Sequence, residues 1–163
     1  MVRRLVPLLI LALICAALPA VAVEPGALAP DFALPTLDGR TVRLSEFKGN
    51  PILLKLATTW CPTCRQQSQE ILAVADLLEQ NKVEVVEVFI QDSSQMVADY
   101  LKAMSYPRSH VALLDDGSVY KAYSVFVIPR TILIDRDFKV RRDGNLMPAS
   151  ELTSALAALP PGK

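Results

Sequence analysis

The feature that most constrains this chain is a pair of cysteines, two residues apart, placed where a buried strand meets a helix. Residues 51–57 are almost continuously apolar, which is typical of a strand buried on both faces of a sheet. A helix is predicted over 61–80, because apolar residues recur at helical spacing in its later part. Cys61 therefore falls at a helix N-terminus, where unpaired backbone N–H groups favour a thiolate. Cys64 follows one helical turn later and can close a ring with Cys61.

Two structural roles compete with a redox role for this cysteine pair. A disulfide between Cys61 and Cys64 closes so short a loop that it stabilises a fold by only about 2 kcal/mol. A structural zinc site needs four ligands, and outside the leader described below the chain adds only His110, its single histidine. His110 follows Ser109 in an expected loop, where we predict a surface residue. The pair is therefore interpreted as a redox centre with no bound metal.

The N-terminal segment has the pattern of an export signal. Two arginines precede an uncharged stretch over 5–23 that contains an A-x-A sequence near its end, so we predict a signal peptide over 1–22. An uncleaved membrane anchor is the alternative, because the stretch is nearly long enough to span a bilayer. Cys15 lies inside this segment, and the bulky Ile14 before it argues against lipid attachment. The remaining residues, 23–163, are predicted to form a single domain.

Charge and cysteine content narrow the classes of function. The chain carries 17 basic residues, 17 acidic residues and three cysteines. Without the predicted leader, 15 basic residues, 17 acidic residues and two cysteines remain, which gives a net charge of −2. This balance argues against a protein that binds nucleic acid by neutralising phosphates. Export would also place the two remaining cysteines in a compartment where disulfides persist.

Strand and helix patterns alternate along the rest of the chain. Asp38-Gly39 predicts the turn of a β-hairpin, and Asp92 and Ser150 are predicted helix caps. The alternation predicts an α/β fold with a mixed central sheet and helices on both faces. The predicted strands are 31–34, 41–44, 51–57, 83–90, 111–114, 131–135 and 138–142, and the predicted helices are 61–80, 92–104, 119–123 and 150–159.

These segments together resemble the thioredoxin-like superfamily, and in particular its exported branch of TlpA/ResA/CcmG-type thiol–disulfide oxidoreductases. The resemblance rests on the Thr-Trp-Cys-Pro-Thr-Cys-Arg run at 59–65, a hairpin over 29–44, a strand and helix over 85–101, and the segment 123–135. It implies a thioredoxin-like fold with an N-terminal β-hairpin and an inserted strand and helix. It also implies that Pro129 is a cis-proline that faces the disulfide.

The same resemblance assigns roles to the site residues. Cys61 exchanges with a substrate disulfide and Cys64 resolves the resulting mixed disulfide, so the redox-active Cys61–Cys64 disulfide is the only cofactor expected. A cis X-Pro bond exposes neighbouring backbone for pairing with a substrate strand. The residues expected to contact the substrate chain are Trp60, Pro62, Thr63, Ile128 and Pro129.

The resemblance further implies a periplasmic or otherwise extracytoplasmic enzyme that exchanges disulfides with exported proteins. The specific expectation is a reductant in cytochrome c maturation. Its expected partners are exported thiol or disulfide proteins such as apocytochrome c, and a membrane thiol–disulfide electron carrier. We expect a monomer that meets the membrane only if the leader remains as an anchor, and no nucleic-acid partner.

Two positions near the thiols depart from the family pattern. Lys55 stands where thioredoxins carry a buried acid and this branch often has an asparagine, and Gln67 stands where the branch often has a glutamate. We hypothesise that Lys55 raises the positive potential, stabilises the Cys61 or Cys64 thiolate and makes the disulfide more oxidising. The alternative is that the aliphatic stem of Lys55 runs along the core and its ammonium reaches water. Lys55 and Gln67 are therefore candidate modulators of the site.

Two other functions are alternatives to disulfide exchange. A thioredoxin-fold copper-delivery protein binds Cu(I) through two thiolates, but the Sco-like family uses a wider cysteine spacing and a distal histidine. Here His110 is the only candidate third ligand. A thiol peroxidase of the peroxiredoxin type uses a P-x-x-x-T-x-x-C run, in which Thr58 fits but Leu54 stands at the place of the proline.

Overall fold

The computed structural model describes residues 23–104, 106 and 109–160. The predicted signal peptide over 1–22 lies outside these residues. Among the helices that are described, none combines the length and the apolar character needed to cross a membrane.

The described chain begins with the predicted hairpin. Strand β1 (Ala33–Pro35) pairs antiparallel with β2 (Thr41–Arg43). Gly39 lies in the turn with a φ of 81°, a left-handed conformation that suits glycine. A bridge between Thr36 and Leu113 connects the hairpin to the main sheet. The hairpin prediction is therefore confirmed.

Five strands form the main sheet: β3 (Ile52–Ala57), β4 (Glu84–Phe89), β5 (His110–Leu114), β6 (Arg130–Ile134) and β7 (Val140–Gly144). Their order is β5-β4-β3-β6-β7. β3, β4 and β5 run parallel to one another, while β6 is antiparallel to both β3 and β7. Every residue of the central strand β3 is buried, as its continuous apolar run predicts.

Side chains of β3 alternate between two cores on opposite faces of the sheet. Leu54 and Leu56 belong to the core beneath the hairpin, and Leu53 belongs to the core beneath most of the helices. Lys55 follows Leu53 by two residues and so points to the helix-rich side. The helices are α1 (Pro62–Ala73), α2 (Ala75–Gln80), α3 (Ser94–Lys102), α4 (Ser118–Ala122) and α5 (Ala149–Ala157), with a 3₁₀ turn over Leu44–Phe47.

The single helix predicted over 61–80 is interrupted. Val74 separates α1 from α2, with φ −114° and ψ 19°, outside the helical region. Ile71, Val74 and Leu78 still pack in one buried cluster. Apolar periodicity missed the break because these three positions share one face of the pattern whether or not the helix is continuous.

Asp92 and Ser150 are not helix caps, contrary to prediction. Ser93 caps α3, since its Oγ accepts a hydrogen bond from the backbone N–H of Met96 at 3.3 Å. α5 starts without a side-chain cap. Instead, Glu70 of α1 accepts a hydrogen bond from the first backbone N–H of α5 at 2.8 Å. A carboxylate from a neighbouring helix thus takes the place that a local serine would have filled.

Candidate active site

The cysteine pair lies at the junction of β3 and α1. Cys61 occupies the N-cap of α1, and its Sγ accepts a hydrogen bond from the backbone N–H of Cys64 at 3.2 Å. Pro62 fills the first helical position, where the missing N–H leaves no bond unmade. The helix N-terminus and this backbone donor both favour negative charge on the Cys61 sulfur.

The two thiols differ in their access to solvent. Cys61 is 9% exposed, whereas Cys64 is fully buried. Burial raises the pKa of the Cys64 thiol to about 12, and the adjacent Cys61 adds to the rise, while the Thr58 backbone and the Lys55 charge oppose it. Cys64 is therefore protonated at neutral pH, and Cys61 is the sulfur that can meet another molecule.

Asp92 holds the loop that carries Cys61. Its carboxylate accepts hydrogen bonds from the N–H and the Oγ1 of Thr59, each at 2.8 Å, and Arg65 donates to the Thr59 carbonyl at 3.1 Å. Because β3 and β4 are parallel, the loops that follow them meet at one edge of the sheet. Asp92 was missed as a site residue because its position in the sequence also fits a helix cap.

Exposed apolar side chains lie in the two segments that meet at the cysteine pair. Trp60 is 59% exposed, Phe126 is 87% exposed and Val127 is 57% exposed, and Ile128 packs against the cysteine pair. We call these four residues, Trp60, Phe126, Val127 and Ile128, the apolar rim. Exposed apolar surface of this kind marks a binding site. Sequence reasoning missed Phe126 and Val127, although both immediately precede the predicted Ile-Pro contact.

The other predicted substrate contacts lie close to the rim. The peptide bond between Ile128 and Pro129 is cis, as the resemblance implies. Pro62 and Thr63 are exposed on the first turn of α1. Beside the rim, a groove of about 460 Å³ opens between Trp60 and α3.

Lys55 is fully buried and does not reach water, so the alternative with an exposed ammonium is wrong. Its Nζ lies 2.5 Å from Glu87 Oε1 and 2.5 Å from Ser68 Oγ. The reason is the sheet register, which sets Lys55 of β3 directly beside Glu87 of β4. A buried ammonium is tolerated when a carboxylate and a further hydrogen bond replace its water.

His110 is not a surface residue in a loop, contrary to prediction. It begins β5, its side chain is 7% exposed, and its Nε2 lies 3.1 Å from Glu87 Oε2. The imidazole stacks on the ring of Tyr106, with centroids 3.9 Å apart and planes 8° apart. The parallel pairing of β4 and β5 carries His110 into the core beside a carboxylate, which a local pattern around Ser109 does not reveal.

Ser68 and Tyr100 complete this buried arrangement. Ser68 Oγ lies 2.5 Å from the Tyr100 hydroxyl and 3.2 Å from the Cys64 carbonyl oxygen. The ammonium of Lys55 and the guanidinium of Arg65 each lie 5.9 Å from the centroid of the Tyr100 ring, within the range of a cation–π contact. We call Lys55, Ser68, Glu87, Tyr100 and His110 the polar cluster. Its signals in the sequence were the charges of Lys55 and Glu87 within the mostly apolar segments 51–57 and 83–90.

Gln67 is buried but contacts the backbone of Met147. Its Nε2 donates to the Met147 carbonyl at 3.1 Å, and its Oε1 accepts from the Met147 N–H at 2.6 Å. This pair of bonds fastens α1 to the segment that leads into α5.

No group of three or more His, Cys, Asp or Glu side chains positioned to hold a metal ion occurs within the described ranges. His110 lies two strands away from β3 in the sheet order, with its Nε2 on Glu87. It is therefore not a third ligand beside Cys61 and Cys64.

The chain is similar in sequence and in structure to several known proteins. The Redoxin family profile matches residues 24–159. The thiol-disulfide oxidoreductase ResA of Bacillus subtilis (strain 168) is 31% identical over 119 residues, which cover 72% of this chain and 65% of that protein. The thiol:disulfide interchange protein DsbE of Escherichia coli (strain K12) is 31% identical over 124 residues, 73% of this chain and 65% of that one. A crystal structure from Chlorobium tepidum described as a DsbE superposes with a TM-score of 0.72 at 26% identity, covering 83% of this chain and 99% of that chain.

The fold, the cysteine pair and these similarities together define a thiol–disulfide oxidoreductase with a thioredoxin-like fold. The chain belongs to the Redoxin family. The predictions of the superfamily, of the α/β fold with its hairpin, and of the enzyme class are thereby confirmed.

Proposed function

We propose that the protein is an exported thiol–disulfide oxidoreductase that reduces disulfides of exported proteins through Cys61 and Cys64. The Cys61 thiolate attacks one sulfur of a substrate disulfide, the substrate S–S bond breaks, and the released thiolate takes up a proton. Cys64 then loses its proton and attacks Cys61 Sγ, which expels the second substrate thiolate. The substrate gains two electrons, the enzyme is left with a Cys61–Cys64 disulfide, and a membrane thiol carrier reduces it again.

The observation that carries this proposal is the difference between the two thiols. Cys61, at a helix N-terminus, keeps 9% of its surface exposed, whereas Cys64 is fully buried with its pKa raised to about 12. A substrate therefore meets Cys61 first. Cys64 reacts only with Cys61 Sγ, and only once Cys61 is joined to the substrate in the mixed disulfide. The order of the two attacks is thus a consequence of access.

The apolar rim and the groove beside it support a polypeptide substrate. Trp60, Phe126 and Val127 expose apolar surface around Cys61, and Met96 and Met104 line the groove. An extended chain around a cysteine could lie along Ile128 and Pro129, with its apolar side chains on the rim. Pro62 and Thr63, exposed on the first turn of α1, would border the same chain.

We further propose apocytochrome c as a substrate and an extracytoplasmic location. The predicted leader over 1–22 supports export, as does the similarity to the pneumococcal exposed lipoprotein thioredoxin of Streptococcus pneumoniae, which has a TM-score of 0.65 at 26% identity. The Pro-Thr pair between the cysteines resembles the CcmG type and supports the cytochrome c role.

The test uses a Cys64→Ala variant, which can form the mixed disulfide but cannot resolve it. The variant is incubated with an oxidised peptide that contains a Cys-x-x-Cys-His sequence, and the adduct is measured by intact mass spectrometry. We expect one peptide bound through Cys61 and none on the matched Cys61→Ala variant. Equal adduct with oxidised glutathione at the same concentration would contradict a polypeptide substrate.

A second arm separates disulfide exchange from the alternative functions. The reduced wild-type protein is titrated with Cu(I) against a chelator of known affinity, and it is also mixed with hydrogen peroxide. Tight stoichiometric copper binding, or oxidation by peroxide faster than by the peptide disulfide, combined with no peptide adduct, would overturn the proposal.

A further inference from the structure

Three ionisable side chains lie side by side behind Cys64, across three parallel strands. Glu87 of β4 sits between Lys55 of β3, with Oε1 to Nζ at 2.5 Å, and His110 of β5, with Oε2 to Nε2 at 3.1 Å. Their side chains are 0%, 1% and 7% exposed for Lys55, Glu87 and His110. The disulfide exchange described above uses none of the three directly.

Resting on the proposed roles of Cys61 and Cys64, we propose that His110 is a positioning residue for the resolving step. Through Glu87 and Lys55 it sets the charge behind Cys64, so that the attack of Cys64 on Cys61 responds to pH. His110 touches neither the substrate nor a reacting sulfur in this role.

The net charge of Lys55, Glu87 and His110 depends on whether His110 is protonated. With neutral His110, the positive charge of Lys55 and the negative charge of Glu87 cancel. With protonated His110, the same three groups carry one net positive charge. Histidine is the side chain whose charge ordinarily changes between pH 5 and 8, and the field of buried charges is only weakly screened by solvent.

The cluster is connected to the second cysteine. Ser68, bonded to Lys55 Nζ, lies one turn after Cys64 on α1 and reaches its carbonyl oxygen at 3.2 Å. The Lys55 charge favours the thiolate of Cys64. A positive charge on His110 offsets the negative charge of Glu87. The positive charge of Lys55 is then less cancelled at Cys64, and it favours the attacking thiolate.

Further ionisable side chains of the described residues lie around the cluster. Tyr106 stacks on the imidazole from the segment before β5, and burial raises the pKa of its phenol, so it stays neutral. Tyr100 of α3 bonds Ser68, and Arg65 of α1 lies over the Tyr100 ring. Among these described groups His110 is the imidazole, the type of side chain whose charge ordinarily changes between pH 5 and 8.

The direction of the effect follows from these charges. Below its pKa, a thiol attacks tenfold more slowly for each unit of falling pH, because its thiolate becomes rarer. Protonation of His110 over the same range stabilises that thiolate and offsets part of the loss. In a plot of the logarithm of the resolving rate against pH, the slope should therefore be less than one over the pH range in which His110 changes charge. In a variant that lacks an ionisable residue at position 110, the slope should be one.

The experiment follows single turnovers of the reduced protein with the chromogenic disulfide 5,5′-dithiobis(2-nitrobenzoate). Attack by Cys61 releases one aromatic thiolate, and attack by Cys64 on the Cys61 adduct releases the second, so the two steps give separate absorbance phases. We compare wild type with His110→Gln, which keeps a hydrogen-bonding side chain but cannot titrate. Lys102→Gln, which removes an exposed charge of α3 paired with Asp99, is the matched control.

We expect the second phase of His110→Gln to be roughly fivefold slower than that of wild type at pH 5.5 and within about twofold at pH 8.5. The first phase and the Lys102→Gln variant should follow wild type throughout. If the ratio of the second-phase rates of His110→Gln and wild type is the same at every pH, the inference about His110 is refuted. The proposed function is then unaffected. Absence of any chromophore release refutes the proposed function and this inference with it.

A second measurement needs no variant. His110 is the only histidine of the chain, so its imidazole proton signals in an NMR titration are unambiguous. The inference requires the bend in the wild-type second-phase profile to fall at the pH where His110 titrates in the Cys61 adduct. A bend at a different pH, or none, contradicts it.

Discussion

The two sides of the cysteine pair are built from opposite kinds of residues. Around Cys61 lies the apolar rim, in which Phe126 is 87% exposed and the side chain has little to pack against. Behind Cys64 lies the polar cluster, in which Lys55 is 0% exposed and bonded to both Glu87 and Ser68. Apolar groups are thus placed in water and charged groups in the core.

Both reversals have a cost in folding free energy, and both occur beside the same two sulfur atoms. Exposed apolar surface lowers solubility unless it binds a partner, and buried charges lose hydration that a partner charge only partly replaces. The outer side therefore suits recognition of another chain, and the inner side suits control of a sulfur that no partner reaches. Variants of the inner side should therefore mainly lower stability, and variants of the outer side should mainly lower recognition of a polypeptide.

Glu87→Gln should give the largest loss of stability, about 3–5 kcal/mol, because it leaves the Lys55 ammonium buried without its counter-ion. The measurement is the free energy of unfolding from urea denaturation. The double variant Lys55→Met/Glu87→Leu should recover most of the loss. Arg142→Gln, which breaks the half-exposed Arg142–Glu151 pair, should stay within about 1 kcal/mol of wild type. Equal losses of unfolding free energy in Glu87→Gln and Arg142→Gln would contradict a special role for the buried pair.

The same residue predicts how stability depends on pH. Burial opposes ionisation of Glu87, but the charges of Lys55 and His110 outweigh it and hold the pKa below the ordinary value of 4.5. The stabilisation from Glu87 is therefore complete above pH 4.5 and is lost as the pH falls through the lowered pKa. Wild type should lose stability on acidification below pH 4.5 more steeply than Glu87→Gln. Parallel curves would show that Glu87 is not the source of the slope.

Gln67→Leu should lower stability by about 2–3 kcal/mol, since it leaves the buried N–H and carbonyl of Met147 without partners. Because the Gln67 amide bonds Met147 rather than either sulfur, the reduction potential should change little. The potential is measured by equilibration with glutathione buffers. A large shift in potential with little loss of stability would instead support the modulating role predicted from the sequence.

The sequence predicted those parts of the molecule that depend on local pattern. The hairpin turn at Asp38-Gly39, the buried strand at 51–57 and Cys61 at a helix start each follow from a few neighbouring residues. The helix break at Val74 was missed, because the apolar face continues across it.

Contacts between distant segments account for the errors at the site. His110 and Asp92 were assigned to a loop and to a cap from their neighbours in sequence, but parallel pairing of β3, β4 and β5 sets them beside Glu87 and Thr59. Lys55 was recognised as unusual, yet its partner could be identified only from the strand register. Charge placed in an apolar strand, as at Glu87, is the pattern that would have indicated such a partner.

Asp92→Asn should cost about 1–2 kcal/mol, because an amide keeps one hydrogen bond to Thr59 and loses the charge that strengthens the other. The loop before Cys61 should then be less well held, so attack by Cys61 on a small disulfide should slow several-fold. The first chromophore phase measures this. Asp116→Asn, at the start of α4, is a matched control with no contact to the site. Equal effects of the two variants on the first phase would contradict the positioning role of Asp92.

Phe126→Ala should have the smallest effect on stability, within about 0.5 kcal/mol, because most of the ring is in water in the folded protein. Its effect should appear only with a polypeptide substrate, where the second-order rate of reduction of the Cys-x-x-Cys-His peptide disulfide should fall several-fold. Reaction with the small aromatic disulfide should be unchanged, since that probe needs only the sulfur of Cys61. Leu28→Ala is the matched control, because Leu28 is also exposed, at 63%. Leu28 pairs with Lys139, near the end of β6 that lies beside the start of β3, whereas the cysteines follow the end of β3. If Phe126→Ala slows both substrates equally, the rim acts on Cys61 itself and the division between a recognising side and a controlling side fails.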